Sequence, residues 1–480
     1  MPDALPRRRH NVTLAALTIA GIAFSLQQTM VVPALPSLQR ELHTTTAWVT
    51  WLLTAFLLTA SVATPNLGKL GDQYGKKRLL VISLGIFFAG CVGAALATNI
   101  WVLIGCRAVQ GAGGAVFPLS FSIIKDEFPE EKVAMAVGTV SSVFAVGGGA
   151  GLALSGIVVD HLSWRFIFVI GAAAVAVAAL LVHRLVPESP VKTPSRPDWR
   201  GAMLLSGGLV CLLLALTEGE SWGWASPPIG ALFLGALVLL AAWVRVELRV
   251  DAPMVDMRMF TLRPVLVANL TALIAGFAIF GSWVLIPSFV EAPRGLPDGV
   301  ARLVDYGFGA SATQAGLYLV PGALAGFVTG PAAGLMSRRS GPKSPLALGM
   351  ALGALGAGML AIWHDRPWHV VVGMLILGGG FPFTFAAMAT MIVDAVRPVE
   401  TGIATGMNTV MRTVGGVVGG QVGAAILTAD RISGTRVPAE SAFVTVFWLS
   451  AGAALLSAAF VLVAMRGRGV RLVHVVEGAD

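Results

Sequence analysis

Gly68-Lys69-Leu70-Gly71-Asp72-Gln73-Tyr74-Gly75-Lys76-Lys77-Arg78 separates two long apolar stretches. With three glycines, one acid and four bases, it is too short to join anything but an antiparallel pair of helices. Glycine reaches backbone angles closed to residues with a side chain. Lys and Arg clustered beside apolar spans mark the cytoplasmic side of a membrane. The stretch therefore reads as a cytoplasmic hairpin between two membrane-crossing helices.

Composition agrees with that reading. Of 480 residues, 56% are hydrophobic and 12% charged, against roughly a quarter charged in a soluble domain, and the mean hydropathy is +0.80. The 57 glycines and 26 prolines suit helices that pack closely and bend in lipid. A formal charge of +8 invites a nucleic-acid partner, but the bases lie in short segments between spans. Topology accounts for them, and no nucleic-acid partner is expected. Cys91, Cys106 and Cys211 fall inside apolar runs, so no disulfide framework is implied. Arg7-Arg8-Arg9 ahead of an apolar run from Val12 has the form of a secretory signal, yet the run outlasts signal length. An uncleaved first helix with a basic cytoplasmic flank is expected instead. The glycosylation patterns at Asn11 and Asn269 are chance matches, one cytoplasmic and one intramembrane.

Crossing a bilayer takes roughly 20 apolar residues. Fourteen spans are expected, at 12–33, 48–67, 79–97, 101–121, 133–158, 164–183, 201–217, 228–246, 265–288, 314–335, 345–363, 368–392, 402–427 and 442–465. An even number leaves both termini on one side. In this topology the cytoplasmic segments hold 24 of the 33 Lys and Arg, the outer segments hold 7, and Arg107 and Arg412 lie inside spans. The bias puts both termini in the cytoplasm of a plasma-membrane protein.

The glycine turn resembles the signature Gly-x-Leu-x-Asp-x-x-Gly-Arg/Lys-Arg/Lys of the major facilitator superfamily, with every signature position filled. The resemblance implies an all-α integral membrane protein with the major facilitator fold, and a secondary transporter. An internal repeat points the same way. Gly334 to Lys343 aligns with Gly68 to Lys77 at an offset of 266, with Arg338 in place of Asp72, and Gly406 and Gly415 align with Gly138 and Gly147 at an offset of 268. Two six-helix halves, 1–200 and 248–480, then flank two inserted helices within 201–247. That six-two-six order resembles the fourteen-helix drug:proton antiporters, with substrate held near mid-membrane between the halves.

The resemblance assigns roles to particular residues. Gly68, Asp72, Gly75, Lys76 and Arg78 form a gating turn whose acid meets an opposing helix end in one conformation; a plain helix cap is the compatible alternative. Arg107-Ala-Val-Gln110-Gly-Ala-Gly resembles the family's fourth-helix motif. A buried guanidinium costs at least roughly 2.5 kcal/mol unless partnered, so Arg107 and Gln110 face either the cavity or backbone carbonyls of a neighbour. Gly147, Gly151 and Gly156 form a hinge in the fifth span, without the proline that family antiporters carry there. The first span has Gln27 and Val32 where the family has an acid and an asparagine, beside Gln28. No Asp, Glu or His occupies the middle of any span, so the usual proton carrier is absent. Arg412 and Asn408 share a helix face, which suits an anionic ligand unless boundary acids such as Asp126, Asp160, Glu218 or Asp394 compensate. Phe381, Phe385 and Met388, with Asn269, Phe280 and Trp283 of the ninth span, complete the expected cavity, which the resemblance puts on the first and fourth helices of each half. Aromatic and Met surfaces adapt to varied apolar ligands, although ordinary packing explains any one of them.

Nucleotide chemistry is excluded. Gly71 to Lys77 is one residue short of a phosphate loop and lacks its Ser/Thr, and Gly111-x-Gly113 lacks a third glycine. No zinc spacing occurs, and no cofactor, metal or enzymatic activity is expected. The expected function is alternating-access export of small amphipathic compounds, with the bilayer and a small molecule as partners and the proton as candidate coupling ion. The alternatives are export of an anionic lipid or metabolite and, in another class, a polytopic sensor.

Overall fold

The computed structural model describes residues 7–189, 198–250, 253–283, 285–292, 304–432, 435 and 437–465. Among them the chain forms seventeen α-helices and no strand beyond an isolated Arg431–Pro438 bridge. In order these are α1 (Arg7–Met30), α2 (Leu35–Glu41), α3 (Thr46–Tyr74), α4 (Lys76–Ala95), α5 (Ile100–Gln110), α6 (Val116–Glu127), α7 (Glu130–His161), α8 (Arg165–Leu185), α9 (Trp199–Trp222), α10 (Pro227–Glu247), α11 (Arg263–Trp283), α12 (Leu285–Glu291), α13 (Ala312–Ser340), α14 (Lys343–Ile362), α15 (Pro367–Ala395), α16 (Thr401–Ala429) and α17 (Glu440–Ala464).

Thirteen helical stretches among the described residues are long and apolar enough to cross a membrane. The remaining expected span, 265–288, corresponds to α11 followed by α12; its described apolar stretch, Arg263–Ile279, is shorter than the others. The fourth expected span differs from a plain helix. α5 and α6 are joined through a 3-10 turn at Gly111–Ala115. There the glycines let α3 approach: a methyl on Gly111 would lie 2.7 Å from Ala60 N, and one on Gly114 would lie 2.6 Å from Thr64 Oγ1.

The helical hairpin read from the glycine turn is present and tighter than expected. Only Gly75, at φ +117°, separates α3 from α4. That angle is reached without strain by glycine. Glu188 then caps α4, its two carboxylate oxygens accepting from Lys77 N and Arg78 N at 3.1 Å each, as an acid at a helix N-terminus should.

The repeat reappears as packing. Gly138 of α7 lies against α13, where a methyl on it would stand 2.5 Å from Gly330 O. Its repeat counterpart Gly406, in α16, packs on Thr64 and Pro65 of α3. Gly147 faces Ile22 and Ser25 of α1, and its counterpart Gly415 faces Leu273 of α11. Each copy thus pairs α3 with α16, or α13 with α7, by the same small-residue device. Of the two helices expected between the halves, α9 packs against both α3 and α16, while α10 packs chiefly on α9.

Candidate functional site

At the glycine turn, α3 meets the start of α16 with almost no space between backbones. A methyl on Gly68 would lie 2.7 Å from Gly402 O, and one on Gly402 would lie 2.7 Å from Gly68 O. Asp72, only 2% exposed, brings its carboxylate to the first turn of α16: a methyl on Gly402 would stand 2.9 Å from Asp72 Oδ2. The helix dipole favours a negative charge there by about 0.3–1 kcal/mol, and by up to about 2 when partly buried. Lys76, fully buried, lies 3.6 Å from Asp72 Oδ1 and 2.6 Å from Asp126 Oδ2, and also donates to Pro398 O at 3.2 Å. One base thus serves two buried acids and the approach to α16. Ser189 Oγ donates to the same Asp126 oxygen. Arg78 contributes its capped backbone N–H while its side chain is exposed. In the second copy the signs are exchanged: Arg338 on α13 lies 3.9 Å from Glu131 in the first turn of α7, both side chains largely exposed.

Further along α3 and α16 from this contact lies a cavity of about 250 Å³. Thr64 and Thr409 stand at its end nearest the turn; Thr50 and Gln421 stand at its far end. Phe24 and Gln28 of α1, Phe56 of α3, Gly114 and Phe117 of the fourth span, and Thr217 of α9 complete the wall, with Thr54, Ser61 and Thr413 adding hydroxyls. Arg412 is the one charged residue among the lining residues. Its guanidinium stacks on Phe385 at 4.4 Å. Phe385, Asn408 and Arg412 also line a much smaller adjoining space.

Several expected cavity residues lie elsewhere. Gln27 is fully buried and its carboxamide faces Gly171 of α8; successive residues of a helix point about 100° apart, and it is Gln28 that lines the cavity. Arg107 takes the structural alternative. Its Nε donates to Leu52 O at 3.0 Å, its Nη1 to Gln110 Oε1 at 2.6 Å, and Phe56 lies under it at 4.2 Å. Arg107 and Gln110 therefore hold α5 to α3 outside the cavity. Asn269 accepts from Asn408 Nδ2 at 3.1 Å, tying α11 to α16. Phe381 stacks in parallel with Phe385 in the core, and Met388 is fully buried there. The side chains of Phe280 and Trp283 lie outside the described set. Gly147 and Gly151 hold α7 against α1, a methyl on Gly151 meeting Leu26 O at 2.6 Å; Gly156 is buried on the same unbroken helix.

The main walls are thus the second and fifth spans, α3 and α16, where first and fourth helices were expected. The missed signal is a polar stripe at helical spacing. Thr50, Thr54, Ser61 and Thr64 repeat along one face of α3, and Thr409, Arg412, Thr413 and Gln421 along one face of α16.

Comparison with known proteins places this architecture. The family model described as Major Facilitator Superfamily matches residues 17–420 and 270–475. The tetracenomycin C resistance and export protein of Streptomyces glaucescens is 26% identical over 82% of this chain and 71% of its own length. Multidrug resistance protein 3 of Bacillus subtilis (strain 168) is 28% identical over 80% of this chain and 73% of its own. The crystal structure of the human organic anion transporter MFSD10 superposes with a TM-score of 0.68 at 14% identity, covering 95% of this chain and all of that one, which speaks to the fold alone. A multi-pass helical membrane protein with these matches, the chain belongs to the major facilitator superfamily of transporters.

Proposed function

We propose that this protein is a secondary transporter that exports small amphipathic compounds by alternating access, with the proton as coupling ion. In this reading its halves are residues 1–200 and 248–480, residues 201–247 are inserted between them, and both termini face the cytoplasm of the plasma membrane. The observation that carries it is the cavity between α3 and α16, closed at the glycine turn where Gly68 meets Gly402 and Asp72 meets the first turn of α16. Hydroxyls and aromatic rings in one wall suit ligands with an apolar body and a polar group. The names of the bacterial relatives, which speak of multidrug resistance and export, support the same direction. Gly68, Asp72, Gly75, Lys76 and Arg78 act as the gate, and separation of α3 from α16 opens the cavity to the cytoplasm.

A second reading, export of anionic amphiphiles, is favoured by the lining: Arg412 is its one charged residue, and no acid lines it among the described residues. Reconstituted liposomes loaded with a fluorescent amphiphile, with pH and potential set independently, test both. Export driven by the imposed gradient supports transport, and no movement contradicts it. Matched anionic and cationic competitors decide the second reading: it requires the anions to compete better, and it fails if the cations do.

A further inference from the structure

His364 and Asp365 follow α14, and Glu440 opens α17, so three residues distant in sequence meet at the end of the bundle opposite the turn between α13 and α14. One ligand atom from each lies within 4.8 Å of the others. His364 Nδ1 is 2.8 Å from Leu360 O, and its Nε2 is 2.8 Å from Glu440 Oε1. A carbonyl only accepts, so Nδ1 carries a proton, and in the neutral ring Nε2 presents a lone pair. That lone pair faces a carboxylate oxygen. Two lone pairs at this distance need a positive charge between them, supplied by a proton or a metal ion.

We infer that His364, Asp365 and Glu440 bind one first-row divalent transition cation, of the zinc type. A ring nitrogen, fixed by a hydrogen bond from the other nitrogen to a backbone carbonyl, is the usual preparation of a metal-ligating histidine. One nitrogen and two carboxylates form a mixed donor set that leaves a position for water. Ligands of one tetrahedral zinc stand roughly 3.3 Å apart for bonds near 2.1 Å, so the Nε2–Oε1 pair has only to part slightly. Phe289 packs edge-on against His364 at 5.5 Å and Tyr306 stacks on Phe289 at 5.4 Å, walling one side of the site from water. Tyr306 itself is no ligand. Its hydroxyl donates to Pro438 O at 2.8 Å, and burial, reinforced by the Glu440 carboxylate, pushes it up to about 12. A bound cation would tie the turn after α14 to the start of α17.

The test is zinc titration of the full-length protein, purified in detergent without a polyhistidine tag. Wild type is expected to bind one zinc saturably near neutral pH and to melt at a higher temperature with zinc, since binding stabilises the folded state. His364→Gln and Glu440→Gln should each weaken binding at least about tenfold, while His369→Gln, a nearby histidine outside the cluster, should not. No saturable binding by wild type, or an affinity in the two variants equal to that of wild type, would each overturn the site. Should either variant fail to fold, the wild-type zinc titration decides alone.

Discussion

At Asp72 two favourable influences act on one carboxylate, the Lys76 ammonium 3.6 Å away and the first turn of α16. Asp72→Asn keeps the shape and removes the charge that both influences require. Transport in the variant is expected to fall at least about tenfold at unchanged expression and thermal stability, since the dipole contribution alone reaches about 2 kcal/mol in a buried setting. Rates within about twofold of wild type would remove Asp72 from the gate. Its counterpart makes a contrast. The Arg338–Glu131 pair is exposed, and exposed pairs are worth about 0.2–1 kcal/mol, so Arg338→Ala should change the rate by less than about fivefold; a larger loss would make the second turn an equal gate. At this scale the sequence was legible where a motif fixed both residue and neighbour, as at Asp72 and Gly75. It was illegible where orientation decided. Nothing local distinguishes Gln27 from Gln28, and only the helix rotation sends one toward Gly171 and the other into the cavity.

Among the elements, α9 is the least anticipated. As part of an inserted pair it reads in sequence as a connector, yet Thr217 lines the cavity and its carbonyl accepts from Gln421 Nε2 of α16 at 3.3 Å. Lower on the same helix Ser206 accepts from Asn66 of α3 at 3.1 Å. α9 is thus bonded to both sides of the seam. Thr217→Trp should fill part of the 250 Å³ cavity and shift the order in which competitors inhibit transport, with expression unchanged. An unaltered order of inhibition would make α9 a bystander. Glu218, the neighbouring buried acid, holds Ser221 Oγ at 2.6 Å. The spans themselves were legible because twenty-odd apolar residues have few other uses. The break within the fourth span was not, since Gly111 and Gly114 signal flexibility in sequence but only the approach of α3 turns that into a 3-10 step.

For the molecule as a whole, the expected topology is checked by labelling single cysteines in a background where Cys91, Cys106 and Cys211 are replaced by Ala. Ser340→Cys should react only from the cytoplasm and Thr98→Cys only from outside, as the positive-inside bias requires. The reverse pattern would invert the exporter. The repeat in the sequence puts Gly138 and Gly406 at equivalent positions without naming the helices they meet, which are α13 and α3. It could not say which pair lines the cavity, since both copies share the same small-residue spacing. The central claim is that transport requires α3 and α16 to meet and part at Gly68 and Gly402, where the backbones now touch. The direct measurement is transport by Gly68→Val reconstituted in liposomes, because any side chain there meets Gly402 O at about 2.7 Å and keeps the two helices from closing. The account predicts transport at least about tenfold below wild type at equal expression and melting temperature. A folded Gly68→Val protein that transports at the wild-type rate would contradict it.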